Sequence, residues 1–559
     1  MTITICSINA SFSHTSYSAY SLRRIIENDY KYTMHEFTIN NETDTIIKGL
    51  YDDNSDIYLF SCYLWNIEKV LQIIDVLKQI KECSIILGGS EVGYCPELFF
   101  SKSDAIDFIV AYDAEETLPE LLLHIKDKIS YKFPENAYIK VKQFTPKVSY
   151  NNLNFSDRVF AYNEDDLINF ENKIIYYESS RGCPFDCSYC ISHLDRAVRE
   201  IPLEKVKEEL LFFIKNEISL VKFIDRTFNY NSKRAEKIIE FILENNINSC
   251  FHFEVKLETL SDRCIELIRS APKDWFQLEI GLQSTNEPTL KEIHRKNIYE
   301  IFSRKMDLLH EKENVQLHLD LIALLPYETL QTFIEGFNYV YNLKPHMFQL
   351  GFLKVLRGTQ MEANATKYGL KYRQYPPYEA LQTNTMSYED SLHLKDICYI
   401  VDKYYNSMSF KNTLDTLVSK FDTPYELYYD FVAHLKTTDF FSRSLSKKEL
   451  YKFMFIYLES KGNIEIIYKL AYDYLSNVDL SLPNYFNDFA TIMTKEEKNA
   501  ILTDDFVLQR QYLFGKDYKI QKFASFYKFA HNPVDAQTEN NIFMFAPLKD
   551  KTLYIEAIR

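Results

Sequence analysis

The 559-residue chain has the composition of an ordinary folded protein, with 46% hydrophobic and 26% charged residues. Its length exceeds what a single core usually holds, so we expect several domains. Its formal net charge of −15 at pH 7 argues against a surface built mainly to hold nucleic acid. The first residues do not resemble a signal peptide, and no apolar run approaches the length of a membrane span. We therefore expect a cytoplasmic location.

Residues 1–130 are predicted to form a doubly wound, Rossmann-like α/β domain. Short apolar runs predict five buried parallel strands at residues 3–8, 34–39, 57–62, 84–87 and 107–110, with helical patterns between them. Such a sheet binds its ligand beyond the carboxyl ends of its strands. The His14 loop, the loop that begins at Ser61, and the Gly88-Gly89 pair all lie there. The two glycines let a ligand approach the backbone closely.

Residues 131–172 carry few motifs and are predicted to be a linker. From residue 173 to residue 364, strand and helix patterns alternate again and predict an open, partial (β/α)6 barrel. Its strands are expected at residues 174–178, 219–225, 250–256, 275–281, 315–322 and 346–354. A barrel carries its functional residues at the carboxyl ends of its strands. The polar residues there are Asp225, Arg226, Glu254, Lys256, Glu279, Gln283 and Asp320.

The first barrel strand is followed by a loop in which Cys183, Cys187 and Cys190 are spaced as CxxxCxxC. Three thiolates can hold three irons of a cubane 4Fe–4S cluster and leave the fourth iron open to a substrate or cosubstrate. A zinc site usually needs a second CxxC-type pair, which the chain lacks, and three clustered cysteines do not fit a disulfide pattern. Three structural cysteines spaced this way by chance are the remaining alternative.

Residues 365–559 are predicted to be mainly α-helical and rich in Tyr and Phe. Aromatic residues at helical spacing are typical of a packed core. The segment has no repeat, metal pattern or phosphate loop. We expect it to shape the substrate cavity or to bind a partner.

The order of these parts resembles the cobalamin-binding radical SAM enzymes. The resemblance is strongest over residues 173–360, and it implies that the three cysteines hold a 4Fe–4S cluster with S-adenosylmethionine (SAM) on its open iron. It also implies SAM contacts at Tyr189, Asp225, Glu279 and Gln283. The alternatives are a structural salt bridge at Asp225 and a hydrogen-bond network in the barrel lining at Glu279 and Gln283.

The resemblance further implies that the loops at Ser61 and at Gly88 and Gly89 surround a cobalamin. The His14 loop is similar in position to the DxHxxG loop that supplies a histidine ligand to cobalt in methionine-synthase-type domains. The aspartate and the glycine of that pattern are absent here. Ligation of cobalt by His14 and a packing role for this residue are therefore both open.

For function, the resemblance implies reductive cleavage of SAM to a 5′-deoxyadenosyl radical, and methylation of an unactivated carbon is the preferred hypothesis. A radical cyclisation or rearrangement with the same cofactors is one alternative, and non-catalytic corrinoid binding is another. The expected partners are a one-electron reductant such as flavodoxin or ferredoxin and a small-molecule or peptide substrate that the sequence does not identify.

Overall fold

The structure is a computed structural model that describes residues 1–139 except 129, 132 and 135, residue 155, and residues 158–558 except 515–519, 535–540 and 549–552. Part of the predicted linker at residues 131–172 therefore lies outside the described residues. The chain divides into two compact units. The first comprises Met1–Gly336 and Leu350–Ser391, and the second comprises Phe337–Gln349 and Leu392–Arg559.

The first unit begins with a six-stranded sheet of order β2-β1-β3-β4-β5-β6. Its strands are β1 (Thr2–Asn9), β2 (Lys31–Thr38), β3 (Ile57–Ser61), β4 (Ser84–Gly88), β5 (Phe108–Val110) and β6 (Ala137–Ile139). Its helices are α1 (Tyr17–Ile26), α2 (Thr43–Asp52), α3 (Ile67–Ile80), α4 (Ser90–Gly93), α5 (Pro96–Lys102) and α6 (Ala114–Lys126).

Helices on both faces explain why the central strands of this sheet are apolar along their whole length. Every residue of β3 is buried, and α3 packs Val70, Ile74 and Leu77 into the core. The five predicted strands are confirmed to within three residues at each end, and they pair in parallel. The short antiparallel strand β6 was not predicted.

The first unit continues with a second six-stranded sheet, of order β14-β13-β12-β11-β10-β7. Its strands are β7 (Ile174–Tyr177), β10 (Leu220–Phe223), β11 (Cys250–Val255), β12 (Phe276–Gln283), β13 (Val315–Ala323) and β14 (Met347–Phe352). A two-stranded pair, β8 (Ser180–Arg181) and β9 (Arg199–Glu200), follows β7. The helices are α7 (Leu203–Lys215), α8 (Ser232–Asn245), α9 (Asp262–Ser270), α10 (Glu287–Glu292), α11 (Tyr299–His310) and α12 (Leu330–Asn342).

The βα order of this sheet is that of the predicted partial barrel. All six predicted strands are confirmed to within two residues at each end. Along β13, buried residues alternate with partly exposed ones. One face of this strand therefore packs on the helices, while the other carries polar side chains into the barrel interior. After β14 come α13 (Gln360–Ala363) and a hairpin of β15 (Lys371–Tyr372) and β16 (Ala380–Gln382).

The second unit is mainly helical, as predicted. Its helices are α14 (Tyr388–Ile400), most of which falls in this unit, α15 (Lys411–Leu417), α16 (Pro424–Leu435), α17 (Lys447–Ser460), α18 (Ile464–Asn477), α19 (Lys495–Ile501), α20 (Asp504–Phe514) and α21 (Ile520–Phe523). Its core contains fully buried tyrosines, among them Tyr404, Tyr428 and Tyr451.

The second unit also contains an antiparallel sheet that was not predicted, of β17 (Ala490–Ile492), β18 (Ser525–Phe529), β19 (Ile542–Pro547) and β20 (Leu553–Ile558). Short strands rich in aromatic residues do not stand out in a sequence that is aromatic throughout. Among the described residues, no helix is both long and apolar enough to cross a membrane.

Candidate functional site

The three cysteines share one loop between β8 and β9. Gly182 opens this loop with φ at +98°, and a Cβ there would lie 2.5 Å from the carbonyl oxygen of Ala197. Glycine therefore lets the chain turn back against the segment that precedes β9. The Cys183 N–H donates to Asp195 O at 2.9 Å, and the Cys190 N–H donates to Cys187 O at 3.0 Å. The loop is thereby folded onto itself, and Cys183 and Cys190 lie close enough to Cys187 to act on its thiol electrostatically.

A polar group lies near each of the three sulfurs. The Ser192 N–H donates to Cys190 Sγ at 3.4 Å, and the Thr227 hydroxyl lies 3.7 Å from Cys183 Sγ. Arg295 Nη1 lies 3.9 Å from Cys187 Sγ. Burial raises the pKa of the Cys187 thiol, and the Arg295 charge opposes that rise. Three sulfurs in one loop, each near a polar or charged group, fit an iron–sulfur cluster held by thiolates.

Asp225 lies beneath this loop. Its carboxylate accepts hydrogen bonds from Ser179 N at 2.7 Å, from Ser179 Oγ at 2.6 Å and from Ser180 Oγ at 2.6 Å. The residue is 1% exposed, and burial raises the pKa of its carboxyl although the serine hydrogen bonds oppose the rise. Both oxygens are engaged, so Asp225 ties the end of β10 to the residues that lead into the cysteine loop.

Glu279 is bound by two cationic or polar partners in the barrel interior. It accepts from Lys222 Nζ at 2.9 Å and from His252 Nε2 at 2.9 Å. Burial alone would raise the pKa of Glu279, but the His252 hydrogen bond and the Lys222 charge outweigh it and bring the pKa to about 2. This arrangement is the hydrogen-bond network that the sequence left as an alternative to SAM contact.

Gln283, by contrast, has an unengaged acceptor. It is 9% exposed with φ at +73°, and its Oε1 has no hydrogen-bond partner among the described residues. Its Nε2 occupies the space that a side chain at Gly281 would fill, at 2.1 Å from the position of that Cβ. Gly281 is in register with Asp320 on β13, so Gln283 covers the barrel interior beside that carboxylate.

Arg295, Glu254 and Asp320 were not assigned a role by the sequence. Arg295 donates to Gly281 O at 2.6 Å and lies 3.5 Å from the Tyr189 hydroxyl. Burial and the Glu279 charge raise the pKa of Asp320, whose Oδ1 has no hydrogen-bond partner among the described residues. The same two causes raise the pKa of Glu254 to about 7. Glu254 and Asp320 were noted at strand ends, whereas Arg295 follows α10 in a loop that no pattern singled out.

A cavity joins the carboxyl edge of the first sheet to the cysteine loop. Ser61, Gly88 and Gly89 line one side, and Gly182 and Ser192 line another. Its volume is about 320 Å³. This lies at the small end of the range of roughly 300–1,000 Å³ that is usual for ligand pockets. Gly89 has φ at +102°, and a Cβ there would lie 2.6 Å from Cys62 O, so the turn requires glycine.

His14 does not line this cavity. It forms a parallel bridge with Ile174 of β7, and its Nδ1 is hydrogen-bonded to the Tyr176 hydroxyl. Burial and the nearby Lys222 charge lower the pKa of the imidazole. A neutral imidazole at the edge of the barrel can accept a hydrogen bond from the tyrosine hydroxyl, as a packing role requires.

Two arginines fasten the cysteine loop to the N-terminal domain. Arg181 pairs with Asp113 at 2.6 Å, with Glu115 at 2.8 Å and with Glu178 at 2.7 Å. Arg199 pairs with Asp113 and, at 2.6 Å, with Asp195. The loop and the sheet edge that form the cavity are thus held together by one ion-pair network.

Family models match three parts of the chain. A B12 binding domain matches residues 3–122, the radical SAM superfamily matches residues 177–340, and a family described as a protein of unknown function (DUF4080) matches residues 366–545.

Two relatives are methyltransferases by name. The cobalamin-dependent radical SAM methyltransferase TokK of Streptomyces tokunonensis is 23% identical over 53% of this chain and 47% of its own. The 2-(S-pantetheinyl)-carbapenam-3-carboxylate methyltransferase of Streptantibioticus cattleyicolor is 22% identical over 50% of this chain and 44% of its own. The chain thus spans about half the length of these relatives.

Solved structures show the same fold. The cobalamin-dependent radical enzyme OxsB, with aqua-cobalamin and S-adenosylmethionine bound, is 16% identical with a TM-score of 0.56, over 91% of this chain and 82% of that one. The methyltransferase TsrM of Kitasatospora setae, with tryptophan substrate and a SAM analogue bound, is 14% identical with a TM-score of 0.56, over 68% of this chain and 80% of that one.

Proposed function

Because the chain belongs to the cobalamin-binding radical SAM enzymes, we propose that it cleaves SAM reductively and methylates an unactivated carbon of its substrate. The cluster and SAM supply a 5′-deoxyadenosyl radical when bound, and the corrinoid supplies a transferable methyl group. The remaining question is how this chain's own residues hold these groups and exclude water from them.

One observation carries the proposal. A single cavity is lined both by Ser61, Gly88 and Gly89 of the corrinoid-binding edge and by Gly182 and Ser192 of the cysteine loop. A corrinoid at that edge and a cluster in that loop would border the same space. Chemistry that needs both groups requires such a space, and a barrel mouth covered by a second domain keeps a radical away from bulk water.

We assign Cys183, Cys187 and Cys190 to the cluster and Tyr189, Gln283, Glu254, Asp320 and Arg295 to SAM. A buried guanidinium beside Cys187 fits the SAM carboxylate, since arginine binds carboxylates in a bidentate manner. The free acceptors of Gln283 and Asp320 suit the ammonium group and the ribose hydroxyls. Asp225 acts as a positioning residue in this proposal because both of its oxygens accept hydrogen bonds. Glu279 has the same role through Oε2, which binds Lys222 and His252.

We assign the corrinoid to Ser61, Gly88 and Gly89, and we give His14 a packing role. The proposed domains are 1–130 for the corrinoid, 131–172 as a linker, 173–364 for the barrel and 365–559 as the C-terminal domain. The three family-model matches, at 3–122, 177–340 and 366–545, support these divisions.

The test is anaerobic reconstitution with iron, sulfide and hydroxocobalamin, followed by addition of SAM and a reductant such as flavodoxin. A methyltransferase of this kind yields both 5′-deoxyadenosine and S-adenosylhomocysteine. Cys187→Ala should abolish 5′-deoxyadenosine because it removes a cluster ligand. Formation of 5′-deoxyadenosine without S-adenosylhomocysteine would favour a rearrangement, and the absence of both would favour non-catalytic corrinoid binding.

A cytoplasmic location and an external reductant belong to the same proposal. All ten cysteines lie in the described part of the chain and none of them forms a disulfide, as is usual in a reducing compartment.

A further inference from the structure

We propose that Arg226 binds an anionic oxyacid group, a carboxylate or a phosphate, of the substrate. This inference rests on the proposed function, because it places the substrate in the cavity between the corrinoid edge and the cysteine loop. Arg226 lies just beyond β10, next to Asp225, and its side chain is exposed in the wall of that cavity.

Every charged side chain that lines the cavity is in an ion pair except that of Arg226. Four carboxylates and three arginines line it. Arg181 pairs with three of the carboxylates, and Arg199 pairs with the fourth, Asp195, as well as with Asp113. Arg226 forms no ion pair or side-chain hydrogen bond with any described residue. A guanidinium that faces an enclosed space without a partner is suited to an incoming anion.

The backbone of Arg226 is held on both sides. The preceding Asp225 carboxylate is anchored by three hydrogen bonds from Ser179 and Ser180. The following Thr227 donates its hydroxyl proton to Arg226 O at 2.7 Å. The guanidinium therefore projects from a fixed point, which lowers the entropy cost of binding a ligand.

Arg226 stands where the cavity meets the barrel interior. Its charge acts on Tyr63, which lines the cavity, and on Glu254, which lies inside the barrel. A molecule positioned between a corrinoid and a SAM-derived radical would occupy this junction. The radical needs a fixed target carbon, and an ion pair at the junction would hold a substrate in one orientation.

The same anion could come from SAM or from the nucleotide tail of the corrinoid, and the experiment separates these sources. Phenylglyoxal modifies accessible guanidinium groups, so peptide mass spectrometry can follow the labelling rate of Arg226. The protein is the holoenzyme, with cluster, hydroxocobalamin and SAM bound, kept anaerobic without reductant. Succinate and inorganic phosphate are the anionic probes. Succinamide, with salt added to equal ionic strength, is the neutral control.

We expect Arg226 to stay reactive when both cofactors are bound and to be labelled about fivefold more slowly when succinate or phosphate is added. Succinamide should not slow it. The exposed Arg304, paired with Asp262 at 3.1 Å far from the cavity lining, serves as the internal reference and should label at one rate throughout.

A variant gives a second measure. Arg226→Gln should change the dissociation constants for SAM and hydroxocobalamin by less than about twofold. Loss of Arg226 labelling on adding SAM or hydroxocobalamin alone would assign the residue to that cofactor and overturn the proposal. Labelling that neither anion slows would overturn it too. Neither readout requires turnover. If anions slow the labelling of Arg226 but the protein makes no 5′-deoxyadenosine, the proposed function is refuted and the anion-binding proposal is not.

Discussion

Three carboxylates of the barrel, Asp225, Glu279 and Glu328, differ in their hydrogen-bond partners, and these partners decide how each group responds to pH. Asp225 has three hydrogen-bond donors, and Glu279 has Lys222 and His252. Glu328 has only Ser284, whose hydroxyl donates at 2.5 Å, and its Oε2 has no hydrogen-bond partner among the described residues. Burial raises the pKa of Glu328 to about 8. It is therefore a carboxylic acid, rather than a carboxylate, over much of the neutral range.

The Glu328→Gln variant should become more stable than the wild type as the pH rises. The folded pKa of about 8 lies above the ordinary value of 4.5, so the folded state holds the proton more tightly than the unfolded chain between these values. The wild-type free energy of unfolding therefore falls as the pH rises through this window, and the amide has no such loss. We expect nearly equal free energies at about pH 5 and an excess of about 2–4 kcal/mol for the variant at about pH 8.5, from urea unfolding. A difference that is independent of pH would contradict this reading of Glu328.

The Asp225→Asn variant should bind less iron than the wild type after reconstitution. The amide nitrogen would face serine groups that donate to the wild-type carboxylate, so the residues that lead into the cysteine loop would lose their anchor. We expect less than about half of the wild-type iron per chain after reconstitution. Asp186→Asn is the matched control within the loop, because Asp186 pairs with the exposed Arg196 instead. Full iron content with weaker SAM binding would instead support direct SAM contact by Asp225.

For single residues, the sequence indicated which side chains to consider but not which partners they contact. The cysteines follow from their spacing alone. The partners of Asp225 and His14 do not, because they lie 45 or more residues away along the chain. Arg181 likewise reaches Asp113 and Glu115 across 68 and 66 residues. Such pairs depend on which strand ends meet, and local patterns do not contain that information.

At the scale of elements, the turn from β4 into α4 combines two adjacent glycines with different requirements. A Cβ at Gly89 would lie 2.6 Å from the carbonyl oxygen of Cys62, with φ at +102°. A Cβ at Gly88 would lie 3.5 Å from Val110 O, which is an ordinary contact. The pair therefore offers a matched comparison on the cavity wall.

Gly89→Ala should weaken cobalamin binding while the cluster stays intact. The alanine forces a shift of the β4–α4 turn or of the Cys62 backbone, at a cost of about 1–3 kcal/mol. We expect a rise of about tenfold or more in the dissociation constant for hydroxocobalamin, followed by absorbance, with unchanged iron content. Gly88→Ala should bind nearly as the wild type does. Equal effects of the two substitutions would show that backbone strain is not what matters at this turn.

Elements were predictable where a strand was apolar throughout, as in β3, or alternated apolar and polar residues over eight or nine positions, as in β12 and β13. All eleven predicted strands of the two parallel sheets are present. The strands that were missed, β6, β8, β9, β15, β16 and β17–β20, belong to antiparallel pairs and are short or sit in aromatic-rich sequence. There, strand and helix patterns are hard to separate because only alternation over five or six residues distinguishes them.

For the whole molecule, the shared cavity predicts magnetic communication between the two metal centres. Dipolar coupling between unpaired spins falls with the cube of their separation, so centres that border one cavity should broaden or split each other's signals. We expect the electron paramagnetic resonance spectrum of protein containing cob(II)alamin and the reduced cluster to differ from the sum of the separate spectra. Cys187→Ala, without a cluster, supplies the reference for cob(II)alamin. A spectrum equal to that sum would place the two centres in separate spaces.

The pairing of the His14 loop with β7 has a consequence for biogenesis. β7 ends the barrel sheet, and its Ile174 donates to Ser13 O at 2.7 Å and accepts from the Thr15 hydroxyl at 2.9 Å. An uncovered strand edge invites pairing with other chains. The N-terminal domain is synthesised before the barrel. The backbone that covers the β7 edge at Ile174 is therefore already made when β7 emerges from the ribosome.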